Sequence, residues 1–225
     1  MIGLPEGLAN DSARDEARFV ALWGRTVPDS AAASTVYARL RVLYAEPQRH
    51  YHSFNHIRRC LDEFDPASDL VENPDTVEMA LWFHDAIYVP GAKDNELRSV
   101  KLFRRCAAGC AKPMFARRVS DLIMATTHID IPGQADARLI TDIDLCSFGL
   151  PWEQFAWDGQ QIRAECPQTS DQKYFAGLLR FLQRLLGRQP TFFLTDHFER
   201  RYGQIARANT LRLVEELQAH GYDGL

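Results

Sequence analysis

The sequence predicts an all-α protein, a single helical bundle of about nine or ten helices. Apolar residues recur at helical spacing along nearly the whole chain. Alternating, strand-like runs are almost missing, and proline or glycine closes one periodic stretch after another.

Each element follows from these signals. A first helix follows Asp11-Ser12 and carries Arg18, Phe19, Leu22 and Trp23. A second, capped by Asp29 or Ser30, runs through Val36, Leu40, Val42 and Leu43 and ends before Pro47. A third spans about 53–64, with Pro66 behind it. The fourth starts after Asn73-Pro74-Asp75, carries Val77, Ala80, Leu81 and Phe83, and is broken by Pro90-Gly91. Further helices are expected at about 94–108, 113–127, 151–166, 171–187 and 195–220, the last stopped by Gly221 as a left-handed cap. The stretch Leu139 to Leu145 alternates in its second half, but with no partner strand nearby it is read as helix. No repeat or linker interrupts the 225 residues, so Pro132-Gly133 and Gln189-Pro190 are expected as turns within one domain.

Composition removes several classes of function. Hydrophobic residues make up 46% and charged residues 25%, an ordinary globular balance in a chain long enough for a large core. The net charge of −4 lacks a nucleic-acid footprint, and the pairs Arg104-Arg105, Arg117-Arg118 and Arg200-Arg201 read as solvated helix faces. No apolar run is long enough for a bilayer, and Met1 to Asn10 do not read as a signal peptide, so neither membrane nor export is expected. Five cysteines (Cys60, Cys106, Cys110, Cys146, Cys166) form no tight motif, which suits reduced thiols in a cytoplasmic protein. Cys106 and Cys110, one turn apart, read as buried helix cysteines rather than a zinc pair.

The histidines carry the chemistry. Four of seven (His50, His52, His56, His84) fall in one short window, and Asp85 follows His84 directly. Imidazole with carboxylate suits a divalent ion such as Mn, Fe, Co, Ni, Zn or Mg. If helices three and four form an antiparallel hairpin, His56 and His84 lie at the same end of it, with His52 a turn further out. A further carboxylate is expected from Asp142-Ile143-Asp144. In a helix, residues two apart point roughly opposite ways, so only one of the two aspartates could face the ion.

In order and spacing, several blocks resemble the HD superfamily of metal-dependent phosphohydrolases, in particular its small bacterial branch without an assigned substrate. They are Arg49 to Ile57, Ala80 to Tyr88, Asp94-Asn95-Glu96 with Ser99, Ala125 to His128, Asp142 to Leu145 with Gly149, and Phe198-Glu199 with Ala206 to Asn209. The resemblance covers residues 15 to 218. It departs at Cys166, where an aromatic residue is expected, and at Gly177-Leu178, where Gly-Arg is expected. It implies an HD-like bundle with its metal core at about 49–150 and helices 151–220 packed on it. It also implies His56, His84, Asp85 and Asp144 as ligands of a divalent metal ion, with His52 as the rival for the first position.

The implied activity is hydrolysis of a nucleotide or other small phosphate ester by metal-activated water. Asp85 would ligate and steer the nucleophile, Glu96 is the first candidate acid or base, and His128 the second. His52 and Arg49 are candidates for an additional metal or substrate contact. Arg58 and Arg59 also flank the first histidines, and Tyr51 and Tyr88 could line a pocket, while Trp82 reads as core. The alternatives are a metal-containing nucleotide sensor without turnover and a di-iron oxygenase on the same scaffold, for which His52 and His128 would be the spare ligands.

Overall fold

The computed structural model describes residues 6–28, 32–188 and 190–223, with side chains from Ser12 onward. Asp29, Ser30 and Gln189 therefore lie outside the described residues, as do the cap and the turn expected there. Among the described residues there is no strand, and ten α-helices are formed. They are α1 (Glu6–Thr26), α2 (Ala33–Tyr44), α3 (Phe54–Phe64), α4 (Pro74–Phe83), α5 (Asn95–Cys106), α6 (Pro113–Ala125), α7 (Ala135–Asp144), α8 (Trp152–Ala164), α9 (Asp171–Leu186) and α10. The last begins at Asp196–Phe198, passes through a π-helical turn at Glu199–Gly203 and continues as Gln204–Ala219.

The expected pattern is met with two changes of boundary. Helix α1 begins at Glu6, ahead of Asp11-Ser12, and no proline stands between them. Helix α5 stops at Cys106, so Cys110 belongs to the turn that Gly109 makes with its φ of 77°. Gly221 adopts the left-handed conformation with φ 83°.

Helix α4 is the centre of the bundle. Every residue from Thr76 to Phe83 is buried, because α1, α3, α5, α6 and α7 all pack on it. An element enclosed on all sides needs apolar residues all round, and Val77, Met79, Ala80, Leu81, Trp82 and Phe83 supply them. Helix α3 instead buries one stripe: Phe54, His56, Ile57, Cys60, Leu61 and Phe64. One contiguous core cluster runs from Phe19 on α1 to Ala206 on α10, and a smaller one joins α9 to α10 through Leu179, Leu182 and Leu217.

Two features hold the C-terminal helices on this core. Tyr202 packs so closely on Gly149 that a Cβ there would lie 2.4 Å from the tyrosine, so only glycine fits. Asn209 Nδ2 donates to the carbonyls of Phe148 and Leu150 at 2.8 Å each, fixing the 3₁₀ turn Cys146–Gly149 after α7. No helix among the described residues is long and apolar enough to cross a membrane.

Candidate metal centre

Three helix segments bring histidines and carboxylates to one point. His56 lies in the first turn of α3 on its buried stripe. His84 caps α4, its backbone N–H still bonded to the Ala80 carbonyl at 2.8 Å, and Asp85 occupies the turn that follows. Asp144 is the last residue of α7, which packs against both α3 and α4.

The donor atoms lie at the spacing of a coordination shell. His56 Nε2 is 3.2 Å from His84 Nε2 and 3.1 Å from Asp144 Oδ1. Asp85 Oδ2 is 3.2 Å from His84 Nε2 and 3.5 Å from His56 Nε2, and His84 Nε2 is 3.4 Å from Asp144 Oδ1. Ligands held ~2.1 Å from one ion are about 3.0 Å apart in an octahedron and about 3.4 Å apart in a tetrahedron. The residues present therefore fit a divalent ion. His84 is oriented for it, because Nδ1 donates to the Leu81 carbonyl at 2.9 Å and leaves Nε2 as the lone-pair nitrogen.

The local field agrees. Burial opposes charge on His84, yet the carboxylates of Asp85 and Asp144 outweigh it and raise the imidazole well above its ordinary value. Burial likewise pushes Asp85 and Asp144 up, but the histidines around them hold both carboxyls below the usual range. A buried group of two carboxylates and several imidazoles is an environment that favours a cation.

Cys60 is a further donor that the sequence reading passed over. His56, Cys60, His84 and Asp144 each place one ligand atom within 4.8 Å of the others. The Sγ lies 3.6 Å from His56 Nε2, one helical turn along α3. Asp85 competes with Cys60 for the fourth place. It lies 3.2 Å from His84 Nε2 and 3.5 Å from His56 Nε2 and lines the cleft, whereas Cys60 is fully enclosed and does not reach the cleft.

The two aspartates of α7 diverge as helix geometry requires. Asp144 turns to the histidines. Asp142, fully buried, accepts from the Leu194 and Thr195 backbone N–H groups and from the Thr195 hydroxyl at 2.7–3.1 Å, fastening the segment before α10. Burial pushes its carboxyl up to about 6 against those hydrogen bonds.

His52 does not join the ligand set. Its ring stacks on Tyr88 with centroids 4.1 Å apart, and Nδ1 meets Glu165 Oε2 at 2.5 Å. The buried Glu165 also accepts from the backbone N–H groups of Tyr51 and His52 at 2.8 and 2.9 Å. Burial disfavours charge on both partners, but Asp85 and Glu165 raise His52, and His52 lowers Glu165. His128, at φ 54°, meets Asp144 Oδ2 at 2.8 Å through Nε2, while its buried Nδ1 has no hydrogen-bond partner. Glu96 is half-buried at the cleft, and burial raises its carboxyl. His50 is exposed.

Arg49 is engaged within the fold. Its guanidinium is fully enclosed and donates to the carbonyls of His52, Asp85 and Ala86 at 2.7–3.0 Å and to Glu46. These acceptors take four of its five N–H donors, so it pins the loop before α3 to the turn after α4, and it does not line the cleft. Arg58 and Arg59 are paired with Asp15 and Asp158.

A cleft of about 310 Å³ opens above the donors. Asp85, Asp144, Glu96, His52, His128, Tyr51 and Tyr88 line it, together with mainly apolar residues from the turn after α7 and from α8, α9 and α10. A larger depression near the starts of α4 and α7, lined by Asn73, Arg118 and Asp136 among others, contains none of the donors. In comparisons with known proteins, no family model, curated protein or solved structure matched the chain.

Proposed function

We propose that this chain is a metal-dependent phosphohydrolase acting on a small phosphate ester, a nucleotide being one such class. The observation that carries the reading is the convergence of His56, His84, Asp85 and Asp144 with donor spacings of 3.1–3.5 Å beside a cleft. Those four residues would hold one divalent ion of the Mn, Fe, Co, Ni, Mg or Zn kind. Such an ion supplies a hydroxide nucleophile at neutral pH and a counter-charge for the phosphoryl oxygens.

The chain's own groups account for the rest. Asp85, at the open side of the cluster, orients the attacking water. His52 is the best-placed proton donor to the leaving oxygen: the buried Glu165 fixes its ring and favours its charged form. Glu96, also at the cleft, is the second acid. His128 holds Asp144 and so positions a ligand. The five cysteines are free, which suits the reducing cytoplasm, and neither nucleic acid nor membrane is a partner on this reading.

The test is phosphate release from nucleoside mono-, di- and triphosphates and simple phosphate esters with Mn²⁺, Co²⁺, Mg²⁺ or Fe²⁺, beside an Asp85→Ala control. Metal-dependent release that the control abolishes is the expected result. Folded, metal-loaded protein that releases none would point to a sensor or an oxygenase.

A further inference from the structure

Beside the metal donors the cleft carries an apolar wall. It is built from Phe148, Phe155, Ile162, Leu178, Phe181 and Leu182. Three of these rings form one surface: Phe148 lies 5.2 Å from Phe155 and 6.3 Å from Phe181, centroid to centroid. Phe181 reaches to 6.1 Å from the His128 ring, so the apolar wall begins beside the donors.

The charges of the cleft are equally selective. Among the described residues that line it, none is a lysine or arginine. Two nearby arginines are engaged elsewhere, Arg59 with Asp158 and Arg163 with Asp171 and two backbone carbonyls, and Arg184 lies over the outer ring of the wall, 5.7 Å from the Phe181 centroid. Glu96 adds a carboxyl to a cleft that already holds Asp85 and Asp144, while the Asp158 carboxylate is matched by Arg59. One phosphoryl group would find an ion and His52 as its partners. A chain of two or three phosphates needs several cationic donors, and this cleft offers carboxylates in their place.

We propose, resting on the phosphohydrolase reading, that the substrate is a phosphomonoester of an apolar alcohol, carrying one phosphoryl group and an aliphatic or aromatic body that lies on the Phe148–Phe181 wall. In the reaction the water oxygen bonds to phosphorus and the bond from phosphorus to the alcohol oxygen breaks. That oxygen keeps the bonding pair and takes the His52 proton. The water gives up a proton to solvent, and the products are the free alcohol and inorganic phosphate. A cleft of about 310 Å³ lies at the small end of the ~300–1,000 Å³ range of small-molecule pockets, which suits a compact body.

The test has two arms. In the first, ethyl, butyl, hexyl and octyl phosphate, AMP and ATP are titrated calorimetrically into chelator-treated protein. In the second, phosphate release from the same compounds is measured with Mn²⁺. Affinity and kcat/KM should both climb with chain length, approaching about fourfold per buried methylene, with a negative heat-capacity change and with ATP last. Leu178→Asn, a half-buried site where a polar group can be accommodated, should flatten the dependence while circular dichroism stays unchanged. Turnover that is flat in chain length, or faster with ATP than with hexyl phosphate, would overturn the proposal and leave the phosphohydrolase reading standing. Length-dependent binding with no phosphate released from any ester would overturn the phosphohydrolase reading, and the proposal with it.

Discussion

The two sides of the cleft obey opposite chemical rules. On the floor, α3, α4 and α7 bring five polar donors together in a buried place, where each carboxylate or imidazole is tolerable only because others surround it. On the apolar wall, α8, α9 and α10 present mainly aromatic and aliphatic side chains. The floor owes its precision to paired groups: Arg49 ties two ligand-bearing segments together, Leu81 orients His84, and His128 orients Asp144. The wall needs only shape. Changes on the floor should therefore act on metal binding or the chemical step, and changes on the wall on selectivity.

The largest effect expected is at the histidines. His56→Ala and His84→Ala should each weaken metal binding by more than ~100-fold, beyond what loss of a supporting contact brings, whereas His52→Ala should stay within about tenfold. A metal titration checks the order, and the reverse order for His52 and His56 would move the first ligand to His52.

Glu165→Gln sharpens the comparison, because it touches His52, the proposed proton donor, without touching a proposed ligand. Turnover should fall about 10–100-fold with metal content unchanged. The His52–Glu165 pair also predicts a pH dependence. His52 is raised, so its contribution is complete below about pH 6.5 and is lost as pH climbs through its folded value. Glu165 is lowered, so its contribution is complete above about pH 4.5 and is lost as pH falls through its own. The stability difference between wild type and Glu165→Gln should be greatest between those values and shrink on either side in urea melts at stepped pH.

Asp142→Ala separates structure from chemistry on a single helix. It strands two backbone N–H groups and a hydroxyl, which should cost about 1–3 kcal/mol in a denaturant melt, with metal stoichiometry intact. Loss of the metal instead would make Asp142 part of the site. The smallest effect is expected at Cys60→Ala, with metal affinity within about tenfold. A larger drop would put the thiol in the ligand set.

The legible part of the sequence was the part set by local rules. Helical spacing and Pro-Gly punctuation marked the elements, and the positions of His56 and His84 near one end of a two-helix hairpin placed them together. The opposed directions of Asp142 and Asp144 followed from the helical rotation once α7 was read as a helix, although choosing Asp144 rested on the resemblance. Contacts distant along the chain were not legible. Glu165 reaches His52 across 113 positions, and no local pattern marks it. Arg49 looked free because a sequence does not show which guanidinium meets buried carbonyls. Cys60 did leave a signal, one turn after His56, but an apolar-stripe cysteine reads first as core.

The most direct test of the account is a Co²⁺ titration of wild type and Asp85→Ala, followed by calorimetry and visible absorption. The account predicts at least one tightly bound equivalent in the wild type, with nitrogen and oxygen ligation and no thiolate charge-transfer band, and its loss in the variant. A full equivalent retained by Asp85→Ala, or a thiolate band in the wild type, would contradict the assignment of the His56, His84, Asp85 and Asp144 centre.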